Sequence, residues 1–309
     1  MSLNSSTNIN LYGYNHFFLE LINLYNKKKL PNKIIFSGNK GIGKATFAYH
    51  LINYIFSLNE DGKYNIDNNK INKNNYSYNL VSKNHHPNFF LISNEEDKTN
   101  IEISKIKEMI NYTNKSSFND KYKVIMINNV EYLNKNSVNA LLKVIEEPND
   151  KIYFFLIHAS NNKILDTLRS RCIKYNLSIK NEEKSSIINK LLDNEFYNNL
   201  NNDFKNFYNS PGDIFFLNSF FKDNDINEQI SIDEFLKLII NKSLFKKNLY
   251  IKNNLSNFVE LYFNKKISFF KSKDLIYHLY NYYLKKISDC NKYNLDIESV
   301  LIEFNRKIL

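Results

Sequence analysis

The chain has 309 residues, 43% hydrophobic and 15% aromatic, enough apolar material for two or three packed domains. No apolar run approaches the ~20 residues that span a bilayer, and the first 30 positions carry Asn, Glu, His and Tyr where a secretory leader needs an apolar stretch. Cys172 and Cys290 are too few for a disulfide framework or a four-cysteine zinc site, so the expectation is a soluble, cytoplasmic protein with no membrane partner. The net charge of +10 admits nucleic acid as a partner, and 13 basic against 6 acidic residues fall in 242–307. A solvated, Lys-coated helical surface is the plainer account of that excess. With 55 Asn and 39 Lys against 3 Arg, 6 Gly and 4 Pro, the composition resembles AT-rich coding. The scarce residues therefore carry most of the information.

In chain order, Phe17, Phe18, Leu21, Ile22 and Tyr25 predict a helix within 11–30, which Pro31 stops. Ile34–Phe36 reads as a strand ending at Gly38, and Lys44 to Phe56 as a helix. Residues 58–84 are polar and aperiodic and read as a loop or insertion. A strand at 89–92, a helix at 103–113, a buried strand at 124–127 and a helix at 136–147 follow. Strands at 152–157 and 173–177 complete the series. Five short strands alternating with helices imply right-handed crossovers and a mostly parallel sheet covered on both faces. Beyond 178 only helical patterns appear, broken by Ser210-Pro211-Gly212.

The segment Gly38-Asn39-Lys40-Gly41-Ile42-Gly43-Lys44-Ala45-Thr46 matches G-x-x-x-x-G-K between a strand and a helix. Glycines at 38, 41 and 43 let backbone N–H groups curl around phosphate oxygens, Lys44 adds a point charge, and the helix N-terminus adds a dipole. A Gly-rich turn without a ligand would share this sequence. The Mg²⁺ half of such a site is depleted. Ala45 stands where a hydroxyl would ligate the metal, and Thr46, about 100° further round the helix, does not simply replace it. Asn128, after the strand at 124–127, stands where an Asp is expected. Both changes point to poor Mg²⁺ binding and poor hydrolysis. Two of the three arginines lie in Thr167-Leu168-Arg169-Ser170-Arg171-Cys172. A guanidinium fork there suits bidentate contact with phosphate, with a structural pairing to a carboxylate as the lesser alternative.

Leu30-Pro31, Gly38–Thr46, His86-Pro87, Asn139-Ala140-Leu141-Leu142-Lys143-Val144-Ile145-Glu146-Glu147-Pro148 and Ser170-Arg171-Cys172 together resemble the clamp-loader branch of the AAA+ P-loop family. The resemblance is close over 11–177, loose at Ser210-Pro211-Gly212, and by class only beyond. Within the branch the chain is more similar to the delta prime type than to the ATPase type, gamma or tau. Gly41–Thr46 is similar to delta prime loops, the length suits that type, and Asp213 follows a turn where ATPase subunits place an Arg. Many relatives carry a four-cysteine zinc module before the His-Pro pair, whereas residues 49–100 here hold no cysteine.

The resemblance implies an AAA+ α/β domain over 1–177 with a five-stranded, mostly parallel sheet, a helical lid over 178–240 and a helical collar over 241–309. It implies a vestigial phosphate loop of Gly38, Gly41, Gly43, Lys44 and Thr46, and Arg171 as an arginine finger acting in trans. It further implies a stator subunit of the replicative DNA polymerase holoenzyme, not an enzyme alone, in a hetero-pentameric ring with gamma or tau and delta subunits. The sliding clamp and primed DNA are met through that complex. No cofactor is required, ATP or ADP binding is weak at most, and there is no zinc. The alternative is an active gamma- or tau-type or other AAA+ ATPase. A nucleic-acid-binding P-loop protein outside clamp loading would leave Asn139–Pro148 and Ser170–Cys172 unexplained.

Overall fold

The computed structural model describes residues 4–94, 100–146, 151–192, 194–205, 210–267 and 273–309. Two compact units form, one of residues 1–187 with Ser210–Gly212, the other of 188–209 with 213–309. Among the described residues no helix is long and apolar enough to cross a membrane.

The first unit runs α1 (Asn15–Asn26), β1 (Lys33–Gly38), α2 (Lys44–Ser57), α3 (Tyr76–Ser82), β2 (Phe89–Ile92), α4 (Ile103–Thr113) and β3 (Lys123–Ile127). It continues through α5 (Lys135–Glu146), β4 (Ile152–Ala159), α6 (Asp166–Arg169) and β5 (Ile173–Asn176), and α7 (Asn181–Leu191) leads out of it. The strands lie in the order β2-β3-β4-β1-β5, every pairing parallel. This is the fold class expected from the sequence. Side chains alternate between two cores, as a strand's period of two requires. Ile34, Phe36, Val124, Met126 and Phe155 face α1 and α2, while Ile35, Ile125, Ile127, Phe154 and Leu156 face α4 and α5. Burial on both faces is why these strands read as continuous apolar runs.

Two expectations need correction. The first helix is shorter than 11–30, because Leu11 and Leu30 are buried outside it. The polar stretch at 58–84 is not only a loop. Asn75 accepts from the Tyr78 N–H and starts α3, Asn65 and Lys70 bridge, and Tyr64 and Ile71 are buried. The polar spacing hid this because its order comes from hydrogen bonds. Glu60 accepts from the Ser77 N–H at 3.0 Å, the Ser77 hydroxyl at 2.5 Å and Asn75 Nδ2 at 3.0 Å. His86 lies 3.3 Å from the same hydroxyl and stacks on Phe56 at 4.2 Å between ring centroids. His86 is thus a packing element here, while Pro87 is exposed. Glu147 and Pro148 lie outside the described residues.

The second unit comprises α8 (Asn194–Asn199), α9 (Asn202–Lys205), α10 (Pro211–Asp223), whose first two residues belong to the first unit, and α11 (Ile232–Asn241). It continues with α12 (Leu244–Lys247), α13 (Leu249–Asn253), α14 (Leu255–Ile267), α15 (Lys273–Tyr293) and α16 (Ile297–Lys307). One aromatic-rich core joins Phe204 and Phe235 to Phe258, Phe263 and Phe304, so packing runs continuously through position 240. Lys265 bridges Asp203 at 2.7 Å and Asp233 at 3.2 Å, fastening α9 and the start of α11 to α14.

Burial lowers the pKa of both His50 and His86 from the ordinary 6.5 to about 4. The unfolded chain therefore takes up protons at these groups that the folded chain refuses between pH 6.5 and 4. Stability should fall as pH drops through that window. Urea midpoints should be lower at pH 4.5 than at pH 7, and amide exchange within 60–86 should rise first. Equal midpoints would contradict the assignment.

Candidate functional site

Strand order places the loop. β4 lies between β1 and β3, so the segments leaving the C-terminal ends of these three strands converge at one edge of the sheet, where open α/β sheets bind ligands. β1 ends at Gly38, and a Cβ there would lie 2.3 Å from the Leu177 carbonyl oxygen and 2.7 Å from Ile42 Cδ1. Only glycine permits that approach. Gly43, at φ 88°, caps α2 in the left-handed region. Ser160 N–H donates to the Gly38 carbonyl at 3.0 Å, the Tyr14 hydroxyl to Ile42 O at 2.7 Å, and Gly212 N–H to Gly41 O at 3.0 Å. Beneath the loop, His158 Nε2 donates to Asn162 O at 3.0 Å, so its Nδ1 accepts from the Ser37 hydroxyl at 2.9 Å.

Lys44 is buried and its Nζ donates to the loop's own carbonyls, Gly38 at 2.8 Å and Asn39 at 2.6 Å. Burial brings its pKa down to about 8, opposed by the nearby Glu131 carboxylate and assisted by Lys40. The ammonium therefore stays charged at neutral pH. Among the described residues the N–H groups of Asn39 to Gly43 donate to no protein acceptor. That arrangement fits a phosphate.

It does not fit Mg²⁺. Ala45 offers no oxygen, and Thr46 is the third residue of α2, half-buried. Asn128 N–H donates to Ile92 O at 2.8 Å, which holds an amide side chain where a carboxylate is needed. Asn129 is left-handed at φ 55° and bonds Asn94 at 3.0 Å. The carboxylate that does reach this region is Glu131, which accepts from Ala159 N–H at 3.3 Å. Sequence reading passed over it because a 3₁₀ turn at Val130–Tyr132, not strand periodicity, brings it back. Asp213, which follows the Ser210-Pro211-Gly212 turn, accepts from the Tyr250 hydroxyl at 3.0 Å.

Arg171 lies between α6 and the edge strand β5, away from the loop residues in sequence and exposed. Its Nε donates to Glu146 Oε1 at 2.7 Å and its Nη1 to Thr167 O at 2.9 Å. A carboxylate partner is the structural pairing that the sequence left open, though nothing in the sequence singled out Glu146 or the Thr167 carbonyl. Cys172 beside Arg171 is a free thiol whose pKa burial raises to about 11, which disfavours the thiolate at neutral pH.

Residues 14–181 match the family described as DNA polymerase III, delta subunit. The chain belongs to that family. Among curated relatives, the DNA polymerase III subunit delta' of Buchnera aphidicola subsp. Schizaphis graminum is 30% identical over 185 residues, covering 60% of this chain and 54% of the relative. The DNA polymerase III subunit gamma of the same organism is 43% identical over 82 residues, 26% of this chain and 22% of that one. The chain spans about half the length of the delta' relatives it matches. A solved DNA polymerase III gamma subunit-related protein from Thermotoga maritima aligns with TM-score 0.52 and 14% identity over 93% of this chain and 97% of its own. That likeness shows a shared fold.

The loop's geometry separates two glycine roles. Gly38→Ala drives a Cβ into backbone and should cost about 3 kcal/mol or more. Gly43→Ala meets no atom within 4 Å and bears only left-handed strain, about 1–2 kcal/mol. Urea unfolding of the two variants should give that order, and equal losses would contradict it.

Proposed function

We propose that this chain serves as the delta prime-type stator of a bacterial clamp loader, a subunit that does not hydrolyse ATP itself and completes a neighbour's ATP site with Arg171. The reading is carried by one contrast. The chain's own loop keeps a phosphate cradle but lacks both metal ligands, at Ala45 and Asn128, while a guanidinium stands exposed at the sheet edge.

Phosphoryl transfer needs charge stabilisation on the transferring group more than covalent chemistry from the protein. A site without a divalent ion leaves that charge uncompensated, so a triphosphate held at Gly38, Gly41, Gly43, Lys44 and Thr46 would be bound weakly and not cleaved. Arg171, presented to a neighbouring subunit, supplies two parallel N–H donors to the phosphoryl oxygens as charge accumulates there. The partners in this reading are gamma or tau and delta subunits in a five-membered ring, with the sliding clamp and primed DNA engaged by the complex. The helices beyond 178, expected as a lid over 178–240 and a collar over 241–309 and sharing one core across position 240, would hold the subunit in that ring. The match to a gamma subunit keeps an active ATPase as the competing reading.

Two measurements separate these readings. The purified chain with Mg²⁺ and ATP should turn over far below the roughly 1–100 per second of competent phosphoryl-transfer enzymes. A rate of about 0.1 per second or more, abolished by Lys44→Ala, would establish the ATPase reading instead. In a loader reconstituted with ATPase partners, clamp and primed DNA, Arg171→Ala should assemble normally and load clamps poorly. The expected loss is large, since arginine fingers contribute about 10³–10⁵ in rate. Arg171→Lys should be nearly as damaging, because it keeps charge and loses the fork. Normal loading by Arg171→Ala would overturn the proposal.

A further inference from the structure

α5 ends at Glu146, and the turn between α6 and β5 carries Arg171 back to it across 25 positions of sequence. Glu146 Oε1 accepts from Nε at 2.7 Å, Thr167 O accepts from Nη1 at 2.9 Å, and Ser170 Oγ lies 3.5 Å from Nη1. Among the described residues Nη2 donates to no acceptor. The guanidinium is thus held through both Nε and Nη1, and Nη2 is left to meet an anion.

The Arg171 and Glu146 side chains are 39% and 49% exposed. An ion pair so wetted contributes little to stability. What it does contribute is restriction. A free arginine side chain samples many rotamers, and the cost of ordering it falls on whichever step first requires one geometry. We infer that Glu146 is a positioning residue that orients the Arg171 guanidinium for transfer of a phosphoryl group in a neighbouring nucleotide site. The inference rests on the trans-finger reading above and assigns Glu146 no contact with nucleotide. An amide at this position still offers Oε1 to the Nε–H, so charge is not the property that matters most.

The test is steady-state ATP hydrolysis by the reconstituted complex, with thermal melting as a check on folding. Glu146→Ala should lower kcat about two- to five-fold, the range available from an exposed pair. KM for ATP and the melting temperature should be unchanged. Glu146→Gln should recover most of the rate. Glu146→Ala combined with Arg171→Ala should be no slower than Arg171→Ala alone, because one residue acts through the other. A slowed Arg171→Ala beside an unchanged or faster Glu146→Ala would overturn the positioning role and leave the finger standing. A further loss in the double variant would also overturn it, by showing that Glu146 acts on its own. If Arg171→Ala hydrolyses ATP normally, the finger and its positioning residue fall together.

Discussion

The Lys44 ammonium is buried at the start of α2 and ends on the carbonyls of Gly38 and Asn39, within its own loop. A buried cation is costly unless its donors find partners. Those two hydrogen bonds tie the loop's carbonyls to the start of α2. The surroundings are fitted to the loop. Leu177 presses on Gly38, Tyr14 holds Ile42, and Gly212 lies against Gly41, where a Cβ on 212 would come within 2.7 Å of the carbonyl oxygen.

This closure accounts for a phosphate loop in a chain with no hydroxyl at position 45 and no carboxylate at position 128. The glycines at 38 and 212 are held by packing against backbone, whatever ligand the loop meets. Ala45 is partly buried against the core of the first unit, and the Asn128 N–H bonds Ile92 O, so both positions are held without an ion. Substitution there removes chemistry without removing structure. In the proposed reading the subunit's chemistry is left to groups elsewhere, and Arg171 beside the edge strand β5 is the side chain whose fork suits it.

Much of the sheet was legible in the sequence because its strands are buried on both faces and read as apolar runs, with β2 and α4 falling at their expected positions. The G-x-x-x-x-G-K spacing placed the loop, and Arg171 stood out because arginine is rare here. Contacts made by polar side chains were not legible. Glu60 organises an insertion with no hydrophobic period, Glu131 returns through a 3₁₀ turn, and Glu146 meets Arg171 only once α5 and β5 are in place. Asparagine was also undervalued. Among the described residues, Asn69, Asn84, Asn119, Asn129 and Asn294 take positive φ. In a chain with six glycines, they supply left-handed turns that few other side chains tolerate.

The central claim is that this chain's own loop is structural and its chemistry is exerted in trans. The most direct test is clamp-dependent ATP hydrolysis by the reconstituted loader carrying Lys44→Met in this subunit alone, after verifying that the variant folds and assembles. The account predicts a rate equal to wild type, because no phosphate is cleaved at Lys44. A loss as large as that of the same substitution in an ATPase partner would contradict it.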